Sequence, residues 1–160
     1  MHTFEAAAYL RGRGADTVRV KQLFSNSMED HQLRNAITSN FDTYRGCAIA
    51  IADIESEDLR IIASQAADEM LNISGIQSSY VLYRTGDIVN ISARSMGAMN
   101  VQLIMEMLGG GGHQTMAAAQ LSNISVSDAK VRLLQVIDQF YAQINAQEEA
   151  PQERPEEMQN

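Results

Sequence analysis

Val101-Gln102-Leu103-Ile104-Met105-Glu106-Met107-Leu108-Gly109-Gly110-Gly111-Gly112-His113 passes from apolar helix formers into four consecutive glycines and a histidine. Ordering four glycines costs more backbone entropy than ordering any other residues. A chain carries that cost where its backbone must come very close to something, or where φ must turn positive. Without Cβ atoms in the way, successive N–H groups can converge on an anion and cradle a phosphate. His113 adds a titratable donor at the same place. The competing reading is a flexible linker. Linkers sit among Ser, Pro and charge, whereas Val101, Ile104, Met105 and Leu108 precede this run and Ala117-Ala118-Ala119 follow it. A phosphate-binding loop is therefore the favoured reading for Gly109, Gly110, Gly111, Gly112 and His113.

Outward toward the N-terminus, Ser79-Tyr80-Val81-Leu82-Tyr83-Arg84 and Ile88-Val89-Asn90-Ile91-Ser92-Ala93-Arg94 flank the turn residues Thr85-Gly86-Asp87. That pattern predicts a β-hairpin. Its second strand ends on Ser92, Arg94 and Ser95. An arginine leaving a strand end can present a bidentate fork to a phosphate, and the hydroxyls can add donors. Taken alone, Arg94 would be an exposed surface residue. Only fifteen residues separate Arg94 from Gly109, with one short helix capped by Asn100 between them. Such a segment folds back on itself, so Arg94 and His113 are expected to face one cleft. Thr115, just past the histidine, joins the candidate binding set. Met96, Met99, Met105, Met107 and Met116 crowd the same region. Most suit a core, and one or two could line a base pocket, since thioether sulfur packs well on flat rings.

The remainder of the chain completes an α/β pattern. Ala48-Ile49-Ala50-Ile51-Ala52 is a short apolar run predicted as a buried strand. Ser56 is a candidate cap for a helix from Glu57 to about Leu71, with Leu59, Ile62, Ala63, Ala66, Ala67 and Met70 on one face. Ala117 to Leu121 is a further strand. Ser127-Asp128 opens a long helix to about Ala146, with Val131, Leu134, Ile137, Phe140 and Ile144 as its stripe. Near the N-terminus, three helices are expected: residues 4–10, ending at Arg11-Gly12-Arg13-Gly14; a second capped by Asp16; and a third from about Met28 to Thr38 with Leu33, Ala36 and Ile37 inward. The predicted fold is a mixed β-sheet flanked by helices, with an N-terminal helical linker region over 1–40, a binding domain over 41–146, a long C-terminal helix, and a disordered acidic tail over 147–160.

Composition restricts the function. The chain has 160 residues, 45% hydrophobic, and a formal net charge of −8. An acidic body argues against long nucleic acid, which needs a broad basic face, but leaves room for a small phosphorylated ligand. The single cysteine, Cys47, excludes an internal disulfide and sits in an apolar run as a structural thiol. No apolar stretch comes near the roughly 18–20 residues of a membrane-spanning helix, so no direct membrane contact is expected and a cytoplasmic location is. Asp53, Asp58, Asp68 and Asp87 are scattered singly, with no Asp-x-Asp and no clustered histidines. A two-metal hydrolase needs such a cluster. The chain offers a recognition surface without hydrolytic machinery or a metal site of its own.

Ile91-Ser92-Ala93-Arg94-Ser95, Asn100-Val101, Gly109-Gly110-Gly111-Gly112-His113 and Ala117-Ala118 resemble, in order and spacing, the C-terminal substrate-binding domain of the DHH phosphoesterase superfamily. The similarity is strongest to its GdpP-type cyclic di-AMP phosphodiesterases, because Ala117-Ala118-Ala119-Gln120 replaces the Ala-Ala-Gly of many relatives. Residues 3–10 and 14–17 resemble the segment joining the two catalytic subdomains of that group. The resemblance implies that Arg94, Ser95 and the loop from Gly110 to His113 hold phosphate and nucleotide, with His113 a candidate for stabilising phosphate charge. It implies a preceding DHH domain, absent from this chain, that binds two Mn ions. It also implies a longer, membrane-anchored protein that cuts cyclic di-AMP to pApA. Expected partners are cyclic di-AMP or pApA and the DHH domain, with a homodimer through the long C-terminal helix as a further option. Two rival readings stay open: the substrate domain of a short-oligonucleotide exonuclease, and a non-catalytic nucleotide-binding module.

Overall fold

A computed structural model describes residues 17–149, with backbone alone for 20–27. The predicted helix over 4–10, its glycine stop and the Asp16 cap lie outside the described residues, as does the tail from residue 150. The elements are α1 (Thr17–Thr38), β1 (Phe41–Tyr44), β2 (Cys47–Ala52), α2 (Leu59–Met70), β3 (Ser78–Thr85), β4 (Ile88–Ser95), α3 (Val101–Met107), β5 (Gly111–Gly112), β6 (Met116–Ser122) and α4 (Val126–Glu149).

The strands form one mixed sheet in the order β1-β2-β3-β4-β6-β5. β2 and β3 run parallel, joined across the sheet by α2, and every other neighbouring pair is antiparallel. β3 sits centrally and reads Ser78-Ser79-Tyr80-Val81-Leu82-Tyr83, buried on both faces. A strand covered on both sides loses the in–out alternation of a half-exposed strand. Its two serines are satisfied locally: Ser78 Oγ lies 3.0 Å from Met99 Sδ, and Ser79 donates to the Ala67 carbonyl of α2.

Two apolar layers follow. On one face α3 and α4 cover Cys47, Ile49, Tyr80, Leu82, Val89, Ile91, Ala93, Ala117, Ala119 and Leu121. On the other, α1 and α2 cover Ala48, Ala50, Ala52, Val81 and Tyr83. The α2 stripe is small: three alanines beside Leu59, Ile62 and Met70, all buried. Small residues let the helix lie close to β2 and β3.

Several expectations need correction. α1 is one helix where two were expected, because Ser25-Asn26-Ser27 are weak helix formers but include no proline or glycine to stop the hydrogen-bond ladder. Ala36 is exposed, and Ile37 is the buried residue of that turn. On α4 the buried stripe is Ala129, Leu133, Val136, Ile137 and Phe140, which leaves Val131 in solvent. α4 continues to Glu149, so residues 147–149 are helical and do not belong to a tail. Two strands were not predicted. β1 pairs with β2 through a two-residue turn with positive φ at both Arg45 (51°) and Gly46 (78°), the geometry of the tight hairpin turn. β5 is made of two of the glycines.

Candidate functional site

α1 and α2 cover β2 and β3; α2 reaches β4, where Asp68 meets Arg94, and leaves β6 open. On that side the sheet therefore changes chemistry. β4 presents Asn90, Ser92 and Arg94; β6 presents Met116, Ala118 and Gln120, alternating with buried Ala117, Ala119 and Leu121. Arg60, Ser64, Tyr83 and the segment Gly111–His113 complete a cleft of about 390 Å³. That volume lies within the ordinary range for small-molecule sites.

The glycine run closes one end, and its geometry divides the four residues into distinct roles. Gly109 has φ of 81° and terminates α3. Its N–H donates to the Glu106 carbonyl, and the Gly110 N–H donates to the Met105 carbonyl. That pair of bonds is the Schellman helix stop, which favours glycine at the first position. A Cβ on Gly110 would lie 2.1 Å from the Ala118 carbonyl oxygen, and one on Gly112 would lie 2.5 Å from Ala117 Cα. Backbone against backbone, β5 approaches β6 too closely for any side chain. Gly111 alone has neither reason: its φ is not in the left-handed region, and a Cβ there would meet nothing within 4 Å. It pairs with Ala118 and points into the cleft.

The sequence predicted an array of converging amide donors. The structure spends most of these N–H groups internally: Gly109 and Gly110 on α3, His113 on the Met116 carbonyl at 2.7 Å, and Gly111 in the ladder opposite Ala118. The run is thus chiefly a device for close backbone approach, with the Gly111 face left open.

Arg94 is nearly buried, with 9% of its surface exposed. Nε donates to Asp68 on α2 at 3.1 Å and Nη1 to the Ala93 carbonyl at 2.9 Å. Its Nη2 makes no hydrogen bond among the described residues. A guanidinium held at two of its nitrogens in this way presents its remaining donors in a fixed direction. His113 is exposed at the opposite lip and lines the same cleft. Arg94 and His113 therefore share one cavity, as expected, with Ser92, Gly111 and Gly112.

Other predicted site residues hold this arrangement without lining it. The Ser95 hydroxyl donates to the Met99 carbonyl and accepts from the Gly97 N–H. The Asn100 side chain caps α3, accepting from the Gln102 and Leu103 N–H groups. Thr115 lies in an exposed turn, and its carbonyl accepts the Ser95 N–H. Gly109 and Gly110 belong to the helix stop. Of the methionines, Met99 and Met105 are core, and Met116 is the one that reaches the cleft.

Arg60, Ser64, Tyr83, Asn90 and Gln120 were not among the predicted site residues. Arg60 and Ser64 stand four apart on α2 beside its buried stripe, a position where a polar pair flanks rather than leaves the sheet. Burial pushes the Tyr83 hydroxyl above its ordinary range, while the Ser92 hydroxyl and the Arg60 charge pull it back. At neutral pH Tyr83 remains a neutral donor.

Among the described residues, no three His, Cys, Asp or Glu side chains come together to hold a metal ion. Nor is any described helix long and apolar enough to cross a membrane. Cys47 is fully buried, and burial raises its thiol pKa, so it is a core side chain.

Residues 44–143 match the DHHA1 domain model, and the chain belongs to that family. It is 42% identical over 141 residues to the cyclic-di-AMP phosphodiesterase PdeA of Listeria monocytogenes, a match covering 87% of this chain and 22% of that protein. It is 44% identical over 142 residues to the cyclic-di-AMP phosphodiesterase GdpP of Geobacillus thermodenitrificans, covering 87% and 21%. The Bacillus subtilis GdpP matches at 43% over 144 residues, covering 87% and 22%. The chain thus spans about a fifth of the length of these relatives. Among solved structures, an exopolyphosphatase-related protein of Bacteroides fragilis has the same fold, with a TM-score of 0.62 at 18% identity over 90% of this chain and 45% of the other. The pGpG-specific phosphodiesterase PggH of Vibrio cholerae aligns with a TM-score of 0.54 at 16% identity, over 77% and 42%.

Proposed function

We propose that this chain is the nucleotide-recognition domain of a cyclic di-AMP phosphodiesterase. The observation that carries the reading is Gly111. The other three glycines are explained by the helix stop and by contact with β6; Gly111 is not, and its missing side chain keeps cleft space open beside Ala118 and Ser92, next to Arg94 and His113. A phosphate seated there meets the anchored guanidinium of Arg94, the Ser92 hydroxyl and the imidazole of His113. Charge-assisted hydrogen bonds of this kind are about twice as strong as neutral ones. The acidic remainder of the chain limits binding to a ligand small enough to sit within these few donors.

Recognition and hydrolysis are separate tasks in this proposal. A DHH domain outside this chain would hold two Mn ions, which would supply Lewis-acid activation at the phosphate; this chain alone would bind without hydrolysing. Arg94, Ser92 and His113 hold and orient the phosphate. Attachment of the whole protein to a membrane belongs to the same proposal and lies with segments outside this chain.

The test is calorimetric titration of the chain with cyclic di-AMP and with pApA, repeated for His113→Ala. Saturable binding that weakens about tenfold in the variant, the value of one charge-assisted hydrogen bond, is expected. Unchanged affinity in His113→Ala, or no binding of either nucleotide by the native chain, overturns the reading.

A further inference from the structure

The two ends of the cleft differ in chemistry. At the glycine end lie Arg94 and His113. Along β4 and β6 the facing pairs run Arg94–Met116, Ser92–Ala118 and Asn90–Gln120. Four residues of strand put the amide pair about 13 Å from Arg94, leaving room for one nucleotide laid along the floor.

The orientation of those amides is set by a chain of hydrogen bonds that begins at the backbone. The Tyr83 carbonyl can only accept. Asn90 Nδ2 donates to it at 3.4 Å and to Thr85 Oγ1 at 2.8 Å. The Asn90 amide is therefore fixed with Oδ1 facing β6. There it accepts from Gln120 Nε2 at 3.3 Å. Gln120 in turn spends one N–H on Asn90 and keeps Oε1 and its second N–H. Oε1 makes no hydrogen bond among the described residues, and Gln120 is exposed on the cleft wall. A glutamine with one acceptor and one donor side by side matches adenine, which offers the N6 amine as donor and N7 as acceptor. Guanine offers O6 and N7, two acceptors, and meets Oε1 with repulsion. Gln120 cannot flip to suit guanine without setting its carbonyl against Asn90 Oδ1, and Asn90 cannot flip without setting its own against the Tyr83 carbonyl.

We propose that Gln120 is the specificity-determining residue of this cleft, held by Asn90 to accept adenine and reject guanine. The proposal rests on the reading of the cleft as a nucleotide site. Arg60 lies at the same end, close enough to Tyr83 for its charge to be felt there, and its planar guanidinium is suited to stack on the base.

The experiment is titration of the full chain with cyclic di-AMP and cyclic di-GMP, for the native sequence, Gln120→Met and Gln120→Arg. Gln120 is exposed, so both variants retain the core. The native chain is expected to favour cyclic di-AMP by about tenfold or more, the discrimination of one bidentate base contact. In Gln120→Met, of similar length but without the acceptor, the ratio falls to within about threefold. In Gln120→Arg the preference turns toward guanine, whose two acceptors suit a guanidinium. Native-level preference retained in Gln120→Met overturns the role of Gln120 while leaving the cleft as the binding site, as does equal binding of both nucleotides by the native chain. Failure of the native chain to bind either nucleotide overturns both readings.

Discussion

Replacing Gly110 and Gly111 by alanine, one at a time, separates what the fold requires from what the ligand requires. In Gly110→Ala the new methyl would lie 2.1 Å from the Ala118 carbonyl oxygen and 2.7 Å from Ala119 Cα. Both atoms belong to the β6 backbone, which is paired to β4 along its length and cannot move aside as a side chain would. β5 must lift away, loosening its pairing with β6. Overpacking against fixed atoms costs about 1–3 kcal/mol, and the backbone contact puts this case at about 3 kcal/mol. At about 2–4 °C per kcal/mol for a chain of this size, the melting temperature falls by about 6–12 °C. In Gly111→Ala the methyl meets nothing, and the backbone is already in a region open to any residue. Reduced freedom of the unfolded chain makes that variant level with the native protein or about 0.5 kcal/mol more stable. Its loss is in nucleotide binding, because the methyl occupies cleft space. Thermal unfolding followed by circular dichroism, with calorimetric titration of the same samples, reads both effects. A Gly110→Ala protein melting within about 2 °C of the native one, or a Gly111→Ala protein destabilised as strongly as Gly110→Ala, would refute the division of roles.

Two further outcomes follow from local geometry. Asn100→Ala removes the side chain that caps α3 and lowers stability by about 1 kcal/mol, seen as a fall of about 2–4 °C in melting temperature. Asp138 accepts hydrogen bonds from Arg45 at 2.9 Å and from the Tyr44 hydroxyl at 2.8 Å and 2.9 Å. Arg45 first, and Tyr44 second, hold its carboxyl below the ordinary range. A carboxylate with a depressed folded pKa contributes stability that is fully present above its unfolded pKa and is lost as the pH falls through the folded one. The melting-temperature gap between the native protein and Asp138→Asn should therefore be constant near neutrality and close only below about pH 4; a gap that widens on acidification contradicts the assignment.

How much was legible in the sequence differs by element. The β3–β4 hairpin was readable because Gly86 and Asp87 supply the turn between two β-rich runs, and α2 because its apolar positions recur at helical spacing. β1 was not: Phe41-Asp42-Thr43-Tyr44 has too few apolar residues to declare a strand, and it becomes one by pairing with β2 across Arg45-Gly46. β5 was hidden for a related reason, since glycine has no strand preference of its own. In the cleft, the presence of Arg94 and His113 was legible because arginine at a strand end and histidine after glycines carry local signals. Asn90 and Gln120 carry none. They are thirty residues apart and become a pair only through the β4–β6 register. Ser95 and Asn100 sit in the right place in the chain, but their side chains are consumed by the loop and helix they hold.

Binding of nucleotide phosphate at the glycine-closed end of the cleft is tested most directly by titrating the isotope-labelled chain with cyclic di-AMP and following the backbone amides by NMR. The largest shifts are expected at Gly111, Gly112, His113, Ser92 and Arg94, with Gln120 and its side-chain amide moving at the far end. Shifts confined to α4 or to the β1–β2 turn, or none at millimolar nucleotide, would contradict it.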